Sequence, residues 1–100
     1  MAKQIIWSLN AQQNRKEIFL YWNNRNKSKT YSKKLNRLIK GAVKLISEFP
    51  QIGRPADLEN IRIKIVRDYL VVYEVSGDNI YILAIWDDRQ DPEKLKKIIK

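Results

Sequence analysis

The spacing of the apolar residues changes near residue 50, and this change restricts the possible folds more than any other feature of the chain. From about Lys29 to Phe49 the apolar side chains recur every three or four residues, as on the core-facing side of an amphipathic helix. Pro50, Gly53 and Pro55 then interrupt the pattern. Beyond them the apolar residues follow a period of two, which is typical of β-strands. The sequence therefore predicts helices in its first half and a sheet in its second.

A strand and another helix are predicted before this main helix. Residues 3–8 alternate weakly between apolar and polar side chains and indicate a short strand. Asn10 can cap a helix that continues to Arg25. Residues 23–28 contain no apolar side chain, so they predict a turn between the two helices. A helical hairpin of this kind can cover one face of a sheet.

Three strands are predicted after residue 60. In the first, three isoleucines are expected to face the core and two cations to face solvent. These are Ile61, Ile63 and Ile65 on the inner side, and Arg62 and Lys64 on the outer side. The second strand covers residues 69–75 and the third covers residues 80–86, with Ser76–Asn79 as a hairpin turn. The third strand is apolar on both faces, so we expect it at the centre of the sheet.

A short last helix is predicted to start at Asp91 and Pro92. The element order is then β-α-α-β-β-β-α, in the α+β class, with the helical hairpin packed on an antiparallel sheet. The chain contains no repeat, linker or low-complexity segment. Residues 1–100 are therefore expected to form a single domain.

The composition excludes several kinds of chemistry. The chain has no cysteine and no histidine, so it lacks the usual zinc ligands and the commonest general base. We expect neither a metal nor another cofactor. No run of about twenty apolar residues is present, so we expect no membrane association and a cytoplasmic location. The net charge of +9 favours an anionic partner, either a nucleic acid or an acidic protein.

Five stretches, in order over nearly the whole chain, carry a family resemblance. They are Ile6–Trp7, Tyr21–Trp22, Leu45–Pro50 with Gly53–Arg54, Arg67–Val75, and Ile82–Arg89. Together they resemble the RelE/ParE superfamily of bacterial toxins. The resemblance implies a RelE/ParE-like toxin domain of a type II toxin-antitoxin system, which arrests growth and is neutralised by a cognate antitoxin in a hetero-oligomer. Some members of the superfamily cleave mRNA on the ribosome, others poison DNA gyrase, and some are inactive relatives.

The resemblance to the mRNA-cleaving members assigns three candidate catalytic residues, Arg62, Lys64 and Arg89. In such a cleavage the RNA 2′-hydroxyl attacks the adjacent phosphate, and cations can stabilise the charge that develops on the phosphorane. Arg62 or Lys64 would transfer a proton, a role that is open to a lysine of lowered pKa. Arg89 would contact the scissile phosphate. Cleavage of mRNA on the ribosome is accordingly the first functional hypothesis.

Nucleic-acid binding is expected of the same three cations together with Arg67 and Trp86, whose ring could stack on a base. Each assignment has a plainer alternative. Arg62 and Lys64 would be the solvated face of an edge strand. Arg67 would be a turn residue, Trp86 a core residue, and Arg89 a partner of the nearby aspartates.

Two positions depart from the pattern of the mRNA-cleaving members. Leu70 stands where those members place an arginine, and no tyrosine or histidine follows Tyr81. The surroundings of Leu70 and of Asp88-Arg89 resemble the gyrase-inhibiting branch. The alternatives are therefore a gyrase inhibitor that performs no catalysis, and an inactive relative that binds only its antitoxin.

All three hypotheses share an antitoxin. We expect it to be acidic and partly disordered, because the toxin carries a large positive charge. It would dock in the apolar grooves between the helices and the sheet, either as a helix or by strand addition.

Overall fold

The boundary between helices and strands lies where the apolar spacing changes. The computed structural model describes residues 2–88; the predicted last helix, which starts at Asp91, lies outside them. The elements are β1 (Gln4–Trp7), α1 (Leu9–Asn26), α2 (Thr30–Glu48), β2 (Arg54–Pro55), β3 (Ile61–Val66), β4 (Tyr69–Ser76) and β5 (Asn79–Asp87). Two helices packed on a five-stranded sheet form an α+β fold, which confirms the predicted class.

The sheet is mixed, with the strand order β1-β5-β4-β3-β2, rather than entirely antiparallel as expected. The strands β3, β4 and β5 form the predicted antiparallel meander. The first strand, in contrast, pairs in parallel with the last, with Ile5 opposite Ile80. The helical hairpin carries the chain away from β1, and the meander returns across the sheet until β5 lies beside it. As a result β5 has a neighbour on each side, as its two apolar faces predict.

The N-cap of α1 is Ser8 rather than Asn10. Ser8 Oγ accepts a hydrogen bond of 3.0 Å from the Ala11 N–H, which is the usual N-cap arrangement. Asn10 lies inside the helix, and its side-chain amide donates to the Leu83 carbonyl at 3.2 Å. The helix therefore begins two residues before the predicted cap, and the Asn10 side chain bonds the edge of β5 instead.

The N-cap Ser8 and polar side chains of α1 complete the part of β5 that extends beyond β1. Pairing between the two strands ends at Ile82. Ser8 Oγ then donates to the Leu83 carbonyl at 3.1 Å, and the Ile85 N–H donates to Asn14 Oδ1 at 3.1 Å. A backbone group buried without a partner is costly. The polar residues of α1 therefore take the place of a missing strand along this edge.

The main core lies between the helices and one face of the sheet. From α2, Leu35, Ile39 and Ile46 are fully buried, and they recur at the helical spacing that the sequence predicts. They form one cluster with side chains of β4 and β5, including Val71, Tyr73, Ile80, Ile82 and Ile85. We call this cluster the helix-side core.

A second apolar cluster lies on the opposite face of the sheet. Its buried members are Ile61, Val72, Ala84 and Trp86. Val71 and Val72 are neighbours in β4 but belong to different clusters, because successive residues of a strand point to opposite faces. We call this set the second cluster.

Candidate functional site

Arg62 and Lys64 lie on the helix side of the sheet. Residues directly opposite each other in an antiparallel ladder share a face. Arg62 is opposite Tyr73, and Lys64 is opposite Val71. Both partners belong to the helix-side core. Both cations are half-buried and lie at the margin of the helix-side core.

The isoleucines of β3 lie on the other face. Ile61 is a buried member of the second cluster, Ile63 packs against it, and Ile65 is 53% exposed. The alternation was predicted correctly, but its direction was not: the isoleucines do not face the helix-covered core, and the cations do not lie on the face away from it. A period of two distinguishes two faces without indicating which of them the helices will cover.

The Arg62 guanidinium is engaged with the loop between α2 and β2. It donates to the Gly53 carbonyl at 2.6 Å and to the Gln51 carbonyl at 3.3 Å. It also bonds the side-chain oxygen of Gln51. Hydrogen bonds from a charged donor are stronger than neutral ones. Arg62 therefore holds this loop against the sheet.

Tyr73, on β4, binds the same loop through its hydroxyl group. Its hydroxyl donates to the Pro50 carbonyl at 2.8 Å and accepts from the Gly53 N–H at 2.9 Å. The side chain has no exposed surface, and this burial raises the pKa of the phenol above its usual value of 10.0, although the Gly53 hydrogen bond and the nearby Arg62 charge oppose the shift. We call Pro50, Gly53, Arg62 and Tyr73 the loop clamp. No local sequence pattern reveals the loop clamp, because its contacts join residues up to 23 positions apart.

Trp86 and Leu70 lie on the face opposite Arg62 and Lys64. They are direct partners in the ladder between β4 and β5. Trp86 is a member of the second cluster and is only 8% exposed, so its ring is not free to stack on a base. Leu70, at the position where mRNA-cleaving members have an arginine, packs against that cluster.

Two predicted site residues remain, and the structure describes one of them. Arg67 is exposed in the turn between β3 and β4, where its φ of 58° places it in the left-handed region. Arg89 lies outside the described residues. Of the four predicted site residues that lie within residues 2–88, Arg62 and Lys64 are together on one face, Trp86 is on the other, and Arg67 is at the end of two strands.

A groove lined by cations lies between the two helices instead. It has a volume of about 860 Å³, and Arg15, Lys16 and Lys40 line it together with side-chain amides. The Arg15 guanidinium rests 4.5 Å from the centroid of the Trp7 ring. No acidic residue within the described range lines the groove. We call it the hairpin groove. Only the packing of α1 beside α2 brings these cations together.

An exposed apolar stripe runs along another side of α2. Leu38, Leu45 and Phe49 lie at helical spacing on its outer surface, with Phe49 59% exposed. Ile52 continues the stripe into the following loop. We call these four residues the α2 stripe. Exposed apolar residues that adjoin one another in this way commonly mark a protein interaction surface.

Residues 2–88 contain no cluster of three or more carboxylates or other ligand side chains suited to a metal ion. Within the same range, neither helix is apolar enough over a sufficient length to cross a membrane.

Comparison with known proteins identifies a family and related solved structures. The family model for the ParE toxin of the type II toxin-antitoxin system parDE matches residues 5–92. A solved structure titled as the chromosomal ParDE toxin-antitoxin system from P. aeruginosa has a similar fold, with a TM-score of 0.75 and 19% sequence identity. The match covers 86% of this chain and 96% of that one. No curated protein sequence matches.

Proposed function

Because this chain belongs to the ParE toxins of type II toxin-antitoxin systems, we propose that it arrests growth by inhibiting DNA gyrase and that it performs no catalysis of its own. It would act in the cytoplasm, where its antitoxin neutralises it. This proposal places gyrase inhibition ahead of mRNA cleavage, the first hypothesis from the sequence.

The surroundings of the predicted catalytic positions support the proposal. Groups that share a catalytic step must lie within hydrogen-bond reach of the same reacting atoms. Leu70 lies across the sheet from Lys64. Arg62 already bonds two backbone carbonyls and one side chain. A phosphate beside Lys64 would therefore meet an arginine that the loop already engages, and no arginine at position 70.

A supercoiling assay with purified protein tests gyrase inhibition directly. We expect the wild-type protein to block the supercoiling of relaxed plasmid by gyrase. The Lys64→Met variant should block supercoiling equally well, because Lys64 has no catalytic task. Primer extension on mRNA from arrested cells should show intact transcripts. Cuts with a codon-position bias, together with normal gyrase activity, would contradict the proposal and restore the mRNA-cleavage hypothesis.

Members of the family have an antitoxin partner. The α2 stripe is a candidate surface for its binding. The exposed cations Lys34, Arg37 and Lys44 lie along one side of the stripe. An amphipathic helix that carries apolar residues on one side and carboxylates at its borders matches this pattern in both polarity and charge. We infer that an acidic helical segment of the antitoxin covers the α2 stripe. The sequence hypothesis placed the antitoxin between the helices and the sheet, whereas this surface is on the outside of α2.

Two glutamates in the stripe should weaken antitoxin binding strongly. We expect Leu45→Glu/Phe49→Glu to lower the affinity about 100-fold, because burying each apolar side chain contributes about 1.5 kcal/mol and each 1.4 kcal/mol is a factor of ten. Isothermal titration with the protein encoded by the neighbouring reading frame measures this. Leu9→Glu/Leu20→Glu adds the same charge to exposed positions of α1 and should leave the affinity unchanged. An equal loss of affinity in both variants would contradict the placement of the antitoxin on the α2 stripe.

A further inference from the structure

The hairpin groove combines a concave shape with a uniform positive charge, and nothing described so far uses it. Its three cations come from both helices: Arg15 and Lys16 from α1, and Lys40 from α2. We propose that the groove binds the phosphate backbone of duplex DNA. This inference goes beyond gyrase inhibition, since it concerns a contact that the isolated protein makes with DNA.

The cations of the groove are free to meet an anion. The described part of the chain supplies no carboxylate to its walls, so a bound phosphate would not compete with an internal ion pair. Arg15 is held in place by the Trp7 ring at 4.5 Å. A cation–π contact of this kind restricts the side chain without neutralising its charge. Binding therefore costs less side-chain entropy at Arg15 than at a fully mobile surface arginine.

The neutral groups of the groove are also suited to phosphate. Four side-chain amides line it: Asn10, Gln12, Gln13 and Asn36. Three of them already donate within the protein, to the Leu83 carbonyl, the Trp7 carbonyl and the Glu17 carboxylate, so Asn36 is the amide best placed to donate to a phosphate oxygen. Such amides are common partners of the DNA backbone. The groove also adjoins the N-terminal end of α1, whose first turn has no acidic residue. The partial positive charge of that helix end adds to the charge of the cations.

The lack of an exposed aromatic ring among the described residues that line the groove favours a duplex over a single strand. Proteins that bind single strands present exposed aromatic rings on which bases stack. Phe19 lines the groove but packs against the helix-side core, and the Trp7 ring is covered by Arg15. A contact with the regular outer surface of a duplex needs no such rings.

A row of cations on α2 extends the groove. Lys33, Arg37, Lys40 and Lys44 are exposed and follow one another every three or four residues on one side of the helix. Eleven residues of helix span about 16 Å. Phosphates on one DNA strand advance about 3.4 Å each, so this length matches several of them. The row can thus follow a DNA backbone across the hairpin.

Fluorescence anisotropy with a 20-base-pair duplex of random sequence tests the site. The three groove cations alone contribute about −2.7 to the slope of log affinity against log salt, which is about a 40-fold loss between 50 and 200 mM, and contacts of the α2 row steepen the slope further. The variant Arg15→Gln/Lys16→Gln/Lys40→Gln should flatten the slope by about that amount. Lys40→Gln alone should flatten it by about one unit.

A matched variant separates the groove from the general charge of the protein. Lys29→Gln/Arg54→Gln/Lys64→Gln removes the same net charge at positions outside the groove and should keep the slope of the wild-type protein. Equal slopes for the two triple variants would overturn the proposal. So would tighter binding to polyglutamate of similar charge, which would assign the groove to an acidic protein, or tighter binding to a single-stranded 20-mer. The thermal unfolding midpoint of each variant checks that the fold is intact.

Discussion

Replacing Gly53 with alanine is expected to lower the free energy of unfolding by about 3 kcal/mol, since overpacking a filled core costs about 1–3 kcal/mol and a hydrogen bond is disturbed as well. The added Cβ would lie 2.6 Å from the Tyr73 hydroxyl oxygen, 2.9 Å from its Cε1 atom and 3.0 Å from the Ile63 carbonyl oxygen. Neither neighbour can withdraw freely. The Tyr73 hydroxyl is held by two hydrogen bonds, and the carbonyl belongs to a paired strand.

Gly41 provides the matched control for this substitution. It lies inside α2, and a Cβ there would meet nothing within 4 Å. Alanine should therefore stabilise the protein by about 0.5–1 kcal/mol, the usual gain over glycine within a helix. Urea unfolding measures both changes, provided that the m-value stays constant. Equal and small effects at the two positions would mean that the loop clamp is not tightly packed against Tyr73.

The apolar spacing predicted the larger part of the fold. On α2, Leu35, Ile39 and Ile46 follow the helical spacing and are buried as expected. Other apolar residues of the same predicted stripe, Leu38, Leu45 and Phe49, are instead exposed. The third predicted strand is internal to the sheet because both of its faces are apolar. Signals of this kind depend only on neighbours in the sequence, so a pattern reveals them.

Features that depend on contacts between distant residues were not predictable in this way. The parallel pair of β1 with β5 joins residues about 75 positions apart. The strand β2 has only two residues, and one of them is Pro55, which lacks an N–H and suits an edge position. Polar residues of α1, such as Asn14, look solvent-facing in the sequence but bond the edge of β5. Their tertiary role removes the apolar periodicity that would have marked the buried side of this helix.

The candidate site was mispositioned for a related physical reason. Arg62 and Lys64 were expected to face away from the core because the helix-covered face of a sheet is usually apolar. In β3, however, both faces border apolar clusters, and the cations lie at the margin of the helix-side core. Long cationic side chains tolerate such a margin, since their stems can pack while the charged ends reach polar partners. The guanidinium of Arg62 does this at Gly53.

Replacing Tyr73 with phenylalanine is expected to lower the free energy of unfolding by about 2 kcal/mol at pH 8. The Gly53 N–H and the Pro50 carbonyl would lose their partner, and leaving buried groups unsatisfied costs about 1–3 kcal/mol. The pH dependence should separate this role from ordinary packing. Burial raises the pKa of the Tyr73 phenol in the folded protein above 10.0, whereas the unfolded chain keeps the usual value.

The sign of the pH effect follows from this difference. Below pH 10 the phenol is neutral in both states, and its contribution to stability is complete. As the pH rises above 10, the unfolded chain loses the proton first, so the wild-type protein loses stability by up to about 1.4 kcal/mol per pH unit. The advantage of wild type over Tyr73→Phe should therefore shrink between pH 10 and 11 in urea titrations. The other four tyrosines are common to both proteins, so their titration cancels in the comparison. A constant difference across this range would contradict a neutral, buried phenol at the centre of the loop clamp.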